Sequence, residues 1–437
     1  MFKYYLKLAL LSIKRTPILT LLMVSAIGVG IGASMTTITV NYAMSGNPIP
    51  EKSDQLFAIQ LDTWDPNDPF REPNLPPDQL TYLDATALMR SAPAEKQTAM
   101  TKVYGVIEPE GEDTLPIEAT GRAAFGDFFS MFKTPFLFGG AWNRDVDNNE
   151  QMVTVLSREM NDKVFGGENS VGKYVTIGGQ SYQVVGVLDD FSPVPKYYDV
   201  TNGPFNDPED YYIPFNLVAS QQLDRSGNTN CWKPNSEEGW QGFLNSECVW
   251  IQFWAELPTK ADQENYLSFL NDYAKQQKEL GRFPRPLNNK INNVMEWLEQ
   301  QEVVSENAQV VMWLSVMFLV VCLLNTIGIL LTKFSTKAAE IGLRRALGAS
   351  KSALFIQHLF ESAMVGFAGG LLGLALAFGG LQGVHALFGD DFDQLVQLDF
   401  VMVTSAIVLA IISALLAGIY PTWRACNIQP AVQLKTQ

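Results

Sequence analysis

The sequence has few residues of the kinds that build metal or catalytic centres. It holds two histidines, His358 and His385, and four cysteines in 437 residues. It has no Cys-x-x-Cys pair and no Cys/His cluster, so we predict no metal site. Carboxylates are plentiful, but nothing in the sequence pairs two of them as acid and base. We therefore predict no catalytic residues and expect that the chain is not itself an enzyme.

Basic residues are scarce between positions 43 and 305. That segment has 20 basic and 39 acidic residues, a net charge of −19, while the whole chain carries −15. An acidic segment argues against nucleic-acid binding, which needs Lys and Arg against phosphates. One stretch, Gly167–Tyr174, matches G-x-x-x-x-G-K, but Tyr174 replaces the Ser or Thr that would hold Mg²⁺. A turn before a strand at Tyr174–Ile177 is predicted there instead.

Two of the cysteines, Cys231 and Cys248, lie inside the acidic segment. If that segment faces an oxidising compartment, they could form a disulfide. Two unpaired thiols are the alternative, and the sequence does not choose between them.

Long apolar runs are the main feature of the sequence. A spanning helix needs about 20 mostly apolar residues, and four runs meet that length. They are Ile18–Val40 and, approximately, residues 308–332, 355–381 and 400–422. The first run could instead be a cleaved secretory signal, but it is longer than the usual core of such signals. We expect an uncleaved anchor and hence four transmembrane helices.

The placement of Lys and Arg predicts how the spans are oriented, because basic residues favour the cytoplasmic flanks. The basic residues flanking the spans are Lys3, Lys7, Lys14, Arg15, Lys333, Lys337, Arg344, Arg345, Lys351, Arg424 and Lys435. Loop 382–399 has no basic residue but holds Asp390, Asp391 and Asp393. We therefore expect both termini and loop 333–351 inside, with 43–305 and 382–399 outside.

The segment between the first two spans is too long for a loop and reads as an α+β domain. Tyr182–Leu188 and Val249–Glu256 are rich in aromatic and β-branched residues, which predicts strands. Asp78–Met89 and Ala261–Gln277 have apolar residues at helical spacing. The expected organisation is residues 1–43 with the first span, 44–305 as the outer domain, and 306–437 with the other three spans.

The loop after the second span, Lys337–Ser350, reads KAAEIGLRRALGAS and predicts a short amphipathic helix. Ala339, Leu343, Ala346 and Leu347 fall on one helical face. Glu340 precedes Arg344 by four residues, a spacing that supports a helix. Gly348 suits a left-handed stop, and Ser350 can cap the next helix. Two interpretations stay open, an anchor lying on lipid headgroups and a docking element for a cytoplasmic partner.

These residues resemble the MacB/FtsX-type permeases of ABC transporters. The loop of that family reads roughly E-I-G-[IL]-R-[KR]-A-[LI]-G-A-[ST], which Glu340–Ser350 matches throughout, although Ala339 stands where the family often has Arg. Leu156–Val187 is similar to the family's outer-domain stretch, and Tyr420–Leu434 to its C-terminal pattern. Glu361 matches an acidic residue that the family has at the start of span three. The order of spans and outer domain agrees as well.

The resemblance implies that the loop is the coupling helix, about residues 337–347, which sits in a cytoplasmic ATPase. The residues that would form it are Glu340, Ile341, Gly342, Leu343, Arg344, Arg345, Ala346, Leu347 and Gly348. Glu361 would have an interfacial or coupling role. The outer domain would be periplasmic, with a porter-like part at 44–120 and 248–305 and an inserted subdomain at 121–247. The inner membrane of the cell is the expected location.

The resemblance also implies a mechanism. ATP hydrolysis inside would move the outer domains, so that a periplasmic substrate is exported without crossing the bilayer through this chain. MacB carries a fused ATPase, but only 17 residues precede the first apolar run here and we see no P-loop. We therefore expect ATP and Mg²⁺ to be bound by a separate ATP-binding subunit, in two copies.

The other partners that the resemblance implies are a second permease, identical or paralogous, and membrane lipid. A periplasmic adaptor and an outer-membrane channel are further candidates. The alternatives are a lipoprotein-releasing permease like LolC/LolE, an FtsX-like regulator of cell-wall hydrolases, and a solitary membrane sensor.

Overall fold

The computed structural model describes residues 2–109, 115–235, 237–303, 306–388 and 400–427. It separates into a membrane unit and an outer domain. The membrane unit comprises residues 1–45 and 304–437, and the outer domain comprises residues 46–303. The aspartates predicted in the outer loop, Asp390, Asp391 and Asp393, lie outside the described residues, as does the end of the C-terminal pattern from residue 428 onward.

The helices and strands are numbered in chain order through both units. The α-helices are α1 Phe2–Arg15, α2 Pro17–Ser45, α3 Tyr82–Ser91, α4 Asp127–Met131, α5 Arg144–Asn148, α6 Arg158–Phe165, α7 Leu217–Ser220, α8 Gly239–Leu244, α9 Lys260–Glu279, α10 Val294–Gln300, α11 Glu306–Thr336, α12 Ala338–Ala346, α13 Lys351–Phe388 and α14 Phe400–Cys426. The strands are β1 Leu56–Gln60, β2 Lys96–Glu108, β3 Ile117–Ala124, β4 Phe136–Gly139, β5 Val153–Leu156, β6 Tyr174–Ile177, β7 Gln180–Leu188, β8 Tyr211–Pro214, β9 Gln252–Glu256 and β10 Lys290–Asn293. A 3-10 helix covers Tyr197–Asn202.

Four helices of the membrane unit are long and apolar enough to cross a membrane, which confirms the four predicted spans. The spanning segments are Pro17–Tyr42, Val310–Thr336, Lys351–Gly383 and Val403–Cys426. The last two helices run further than the apolar runs alone predict. The backbone hydrogen bonds of these helices continue past the apolar residues, so polar residues such as Lys351 and Arg424 also belong to the helices.

The first and third spans pack closely along a row of glycines. A Cβ built on Gly32 of α2 would lie 2.8 Å from Leu376 Cβ, and one on Gly373 of α13 would lie 3.0 Å from the Gly28 carbonyl oxygen. Glycine lets two helix backbones approach to a distance that any side chain would prevent. The pairing of α2 with α13 therefore depends on these positions.

The outer domain is built on one mixed sheet of ten strands. The order is β10-β1-β9-β2-β3-β8-β5-β7-β4, and β6 pairs with β2 and β7. β3–β8 and β5–β7 are parallel, and the other pairs are antiparallel. The predicted strands at β6, β7 and β9 are present, and so are the helices α3 and α9. The mixture of helices and strands fits the predicted α+β class.

Alternate residues of the strands enter two separate cores, because successive side chains point to opposite faces of a sheet. On β1, Phe57 and Ile59 join a core that includes α3 and α9. Leu56 and Ala58 join a second core that includes α4 and α10. Trp250 lies in the first core and Trp254 in the second.

The proposed division of the outer domain follows the sheet but does not interrupt it. The porter-like segments contribute β10, β1, β9 and β2, and the segment expected to be inserted contributes β8, β5, β7, β4 and β6. The predicted boundary at residue 120 falls within β3. β2 and β3 pair continuously from Met100 opposite Ala124 to Ile107 opposite Ile117. The two parts therefore share a single hydrogen-bonded sheet, and their status as subdomains stays a prediction.

Candidate coupling site

The loop between spans two and three folds into the short helix that the spacing predicts. α12 runs from Ala338 to Ala346, with Lys337 in the cap position before it and Leu347 after it. Glu340 Oε1 accepts a hydrogen bond of 2.5 Å from Arg344 Nη2, which is the pair expected from their separation of four. Gly348 has a φ of +101°, where a side chain would be strained. The glycine therefore fixes where α12 ends.

The two faces of α12 differ in their surroundings. Ile341 is buried and joins a core with Leu354 of α13 and Phe334 of α11. Leu343 and Leu347 point away from that core and are 54% and 80% exposed. Part of the apolar face predicted from the sequence is therefore open, while Ile341, which lies off that face, holds the helix in place.

The two arginines of α12 connect it to the third and fourth spans. Arg344 Nη1 donates a hydrogen bond of 3.3 Å to Gln357 Oε1 on α13. Arg345 Nη1 donates one of 3.1 Å to the carbonyl oxygen of Cys426, the last residue of α14. Both residues were predicted from the sequence as part of a contact with an ATPase. Each already has a role within this chain, because it fixes the position of α12.

A cluster of buried and partly buried polar side chains lies beside α12, and we call it the Glu361 cluster. It consists of Ser12 on α1, Lys333 on α11, Lys337 before α12, and His358 and Glu361 on α13. Glu361 is 1% exposed and Lys333 is fully buried. Glu361 lies in the third spanning segment, Lys351–Gly383, about three turns from its first residue, and its interfacial or coupling role stays a prediction.

The carboxylate of Glu361 is the centre of this cluster. Its Oε1 lies 2.5 Å from Lys333 Nζ and 3.9 Å from Lys337 Nζ. The same oxygen accepts a hydrogen bond of 2.6 Å from Ser12 Oγ, which in turn accepts one from Lys337 Nζ. Its Oε2 lies 3.4 Å from Nδ1 of His358, whose ring packs against Phe334 with 4.6 Å between centroids. One carboxylate therefore connects four segments of the membrane unit.

The outer domain has a second buried ionic cluster. Arg122 of β3 is fully buried and pairs with Asp199, and its Nη2 lies 2.5 Å from Glu209 Oε1. Lys196 Nζ is 3.5 Å from the same oxygen. Burial favours the neutral acid, but Arg122 and Lys196 hold the pKa of Glu209 well below its usual range. These contacts fasten the segment from residue 196 to residue 209 onto the sheet.

Another buried carboxylate of the outer domain, Asp147, has no ion-pair partner among the described residues. Its oxygens accept hydrogen bonds of 2.9 Å from Gly126 N and 2.8 Å from Trp142 Nε1. Burial outweighs these bonds and raises the pKa of Asp147 to about 7. This group therefore titrates close to neutral pH.

The two cysteines of the outer domain, Cys231 and Cys248, are joined by a disulfide. The stretch at Gly167–Tyr174 forms a turn before β6, as predicted in place of a P-loop, and Lys173 pairs with Glu168 within it. In the part of the chain that the structure describes, no group of three His, Cys, Asp or Glu side chains is placed to hold a metal ion.

Comparison with known families matches most of the chain to two domain families. The MacB-like periplasmic core domain matches residues 20–265, and the FtsX-like permease C-terminal domain matches residues 312–430. The chain belongs to the MacB/FtsX-type ABC transporter permeases. ABC permeases of this kind imply a partner ATPase, and they are generally non-catalytic subunits.

Among similar proteins of this family is the macrolide export ATP-binding/permease protein MacB of Pasteurella multocida, which is 24% identical over 96% of the chain and 58% of its own length. YknZ of Bacillus subtilis, an uncharacterized ABC transporter permease, is 21% identical over 65% of the chain and 61% of its own length. The chain thus spans roughly three fifths of these two relatives. The periplasmic region of MacB from Actinobacillus actinomycetemcomitans is 15% identical, with a TM-score of 0.36, over 56% of this chain and 92% of that structure.

Within this permease, sequence analysis found α12 and Glu361 but missed the partners of Glu361. Ser12, Lys333 and Lys337 are separated from it along the chain, and only Lys333 and Lys337 were noticed, as markers of orientation. The sequence placed Lys333 directly after the second apolar run, and only the structure extends the spanning helix to include it. No pattern pointed to Ser12 or to the Arg122 cluster.

Proposed function

We propose that the chain is the permease subunit of an ABC transporter of the mechanotransmission type. A separate ATP-binding subunit docks on α12, and hydrolysis of ATP moves the outer domain so that a periplasmic substrate is exported. ATP and Mg²⁺ are bound by that partner. The exposed apolar face of α12 carries this proposal, because it lies on a short helix held rigidly between two spans.

A partner protein suits this face better than a lipid surface. Leu343 and Leu347 are exposed side by side, as expected of a helix that inserts into a groove. Glu340 is exposed on the same side and three residues before Leu343. Because the carboxylate of Glu340 is paired with Arg344, the exposed leucines rather than its charge support docking.

The proposal includes the arrangement of the complex in the cell inner membrane. Both termini and α12 are cytoplasmic, and residues 43–305 are periplasmic, which the distribution of Lys and Arg supports. Two permeases, identical or paralogous, pair with two ATP-binding subunits. The name of the Pasteurella relative, a macrolide export protein, supports export as the activity. An adaptor and an outer-membrane channel would complete the export path. The comparisons do not favour the two alternatives, lipoprotein release and regulation of cell-wall hydrolases.

The test is co-purification of the full chain with its ATP-binding subunit from native membranes. Leu347→Glu places a charge on the exposed face without touching the buried side of α12, so we expect the subunit to be lost while membrane insertion is kept. Lys14→Glu is the matched control, because it adds a carboxylate at another exposed cytoplasmic position, and it should retain the subunit. Arg345→Glu is a poorer probe, since it also breaks the contact with Cys426.

Two outcomes would contradict the proposal. The first is a wild-type chain from which no ATP-binding protein can be recovered. The second is unchanged recovery of that protein with the Leu347→Glu variant.

A further inference from the structure

Two lysines near the junction of α11 and α12 lie close to the carboxylate of Glu361. Lys333 lies in the last turn of α11, and Lys337 is the residue that separates this helix from α12. Both side chains reach the same oxygen, Glu361 Oε1 on α13. The carboxylate therefore contacts the end of the second span and the start of the coupling helix together.

The two contacts are unequal. Lys333 Nζ lies 2.5 Å from the oxygen and is fully buried, while Lys337 Nζ lies 3.9 Å away and reaches it partly through Ser12. A rotation or shift of α12 changes the distance from Lys337 first, because that residue is attached directly to the helix. The short pair with Lys333 then keeps α11 and α13 together. The cluster thus has one fixed contact and one adjustable contact.

Stability alone is a weak reason for such a cluster. Removing charges from water costs several kcal/mol for each ion in a typical protein, and apolar side chains of similar size are often equally stable. Ionisable side chains within spanning segments are correspondingly rare and are associated with function. The position of this pair, at the joint beside the coupling helix, indicates what that function is.

We propose that Lys333, Lys337 and Glu361 are positioning residues through which a displacement of α12 is passed to the second and third spans. The inference rests on the proposed function and adds the path that connects the docking helix to the spans. Coupling of this kind needs an element with two arrangements. The structure shows the long contact, 3.9 Å between Lys337 Nζ and Glu361 Oε1, and the proposed second arrangement is a shorter contact formed when α12 moves.

The experiment uses the full chain with its ATP-binding subunit, reconstituted in lipid nanodiscs. Spin labels at two exposed positions in the spans, Trp313 on α11 and Phe378 on α13, report the distance between the second and third spans. The buried Cys322 and Cys426 are replaced by alanine so that only the two sites are labelled. The shift of this distance on adding ATP is measured beside the rate of ATP hydrolysis.

Lys337→Met removes the adjustable contact and leaves the buried Lys333–Glu361 pair, so it should fold normally. Although Lys337 begins the predicted coupling range, its ammonium group lies against Glu361 and Ser12 and is not part of the docking face of Leu343 and Leu347. We therefore expect the variant to bind the ATP-binding subunit and hydrolyse ATP, yet to lose the ATP-dependent distance shift. Lys337→Arg keeps the charge and should retain the shift. Lys14→Met, at an exposed position on α1, is the control for loss of a lysine and should behave as wild type. Glu361→Gln should lose the shift as well.

The outcomes separate this inference from the function on which it rests. A full distance shift in Lys337→Met, or loss of the ATP-binding subunit by that variant, would overturn the positioning role. If the wild-type chain retains no ATP-binding subunit, the proposed function itself fails and the positioning role falls with it.

Discussion

The buried arginine of the outer domain offers a direct test of how that domain is held together. Arg122→Met removes the positive charge that lies between Asp199 and Glu209, and all three side chains are almost completely buried. Two carboxylates would then face each other without a full counter-charge. Breaking a buried ion pair in this way costs about 3–5 kcal/mol, because the remaining charge stays out of water.

The matched control is Arg158→Met. Arg158 Nη1 lies 2.8 Å from Asp189 Oδ1, but both side chains are more than two fifths exposed. An exposed pair of this kind contributes roughly 0–1 kcal/mol. The same chemical change at the two arginines should therefore differ several-fold in effect.

The assay is urea unfolding of the full chain in detergent, followed by hydrogen exchange of β3 and of residues 196–209. We expect Arg122→Met to lower the free energy of unfolding of the outer domain far more than Arg158→Met. Exchange should rise first in the segment that Arg122 fastens to the sheet. Adding Asp199→Asn to Arg122→Met should recover part of the loss, since Glu209 then keeps Lys196 as its counter-charge and no second buried carboxylate repels it. Equal effects of the two arginine variants would refute this account.

Two further predictions concern the outer domain and its exposure. Because burial raises the pKa of Asp147 to about 7 from an ordinary value of 3.8, its folded form holds a proton that the unfolded chain releases near pH 4. The free energy of unfolding should therefore fall as pH rises from about 4 to about 7, by about 1.4 kcal/mol for each pH unit from this group. In urea unfolding measured at several pH values, Asp147→Asn should flatten that part of the dependence on pH. An unchanged slope would show that Asp147 is ionised when folded. A cysteine at the exposed Leu280 should react with an impermeant maleimide in cells whose outer membrane has been permeabilised and whose inner membrane is intact. A cysteine at Leu347 should react only after lysis, and the reverse pattern would overturn the topology.

The parts of the fold that could be predicted are those decided by local pattern. The spans follow from long uncharged runs, and α12 follows from helical spacing followed by Gly348. Strand β7 was found for the same reason, because a local run of aromatic and β-branched residues predicts it. Local signals are sufficient where neighbouring residues decide the structure.

The predicted boundaries of two elements were wrong where a distant partner decides them. The helix expected at Asp78–Met89 begins only at Tyr82, because Thr81 caps it and Leu80 pairs with Ile251. The strand expected from Val249 begins only at Gln252, since the preceding residues form isolated bridges instead. Leu80 and Ile251, which pair in the first of these cases, are more than a hundred residues apart in the sequence.

The candidate site shows the same division. α12 is recognisable from its own residues, but the Glu361 cluster is assembled from α1, α11 and α13, so its members carry no shared local signal. Only the chemical oddity of a charge within an apolar run hints at such a cluster. A sequence can therefore indicate that Glu361 needs a partner without identifying that partner.

The continuous pairing of β2 with β3 has a mechanical consequence. Antiparallel hydrogen bonds that are loaded along the strand direction must break together, whereas bonds pulled open from one end break one after another. The join between the two parts of the sheet runs from Met100 to Ile107 on β2. A force along these strands would thus load all of these hydrogen bonds at once. The outer domain could transmit such a force without separating β2 from β3.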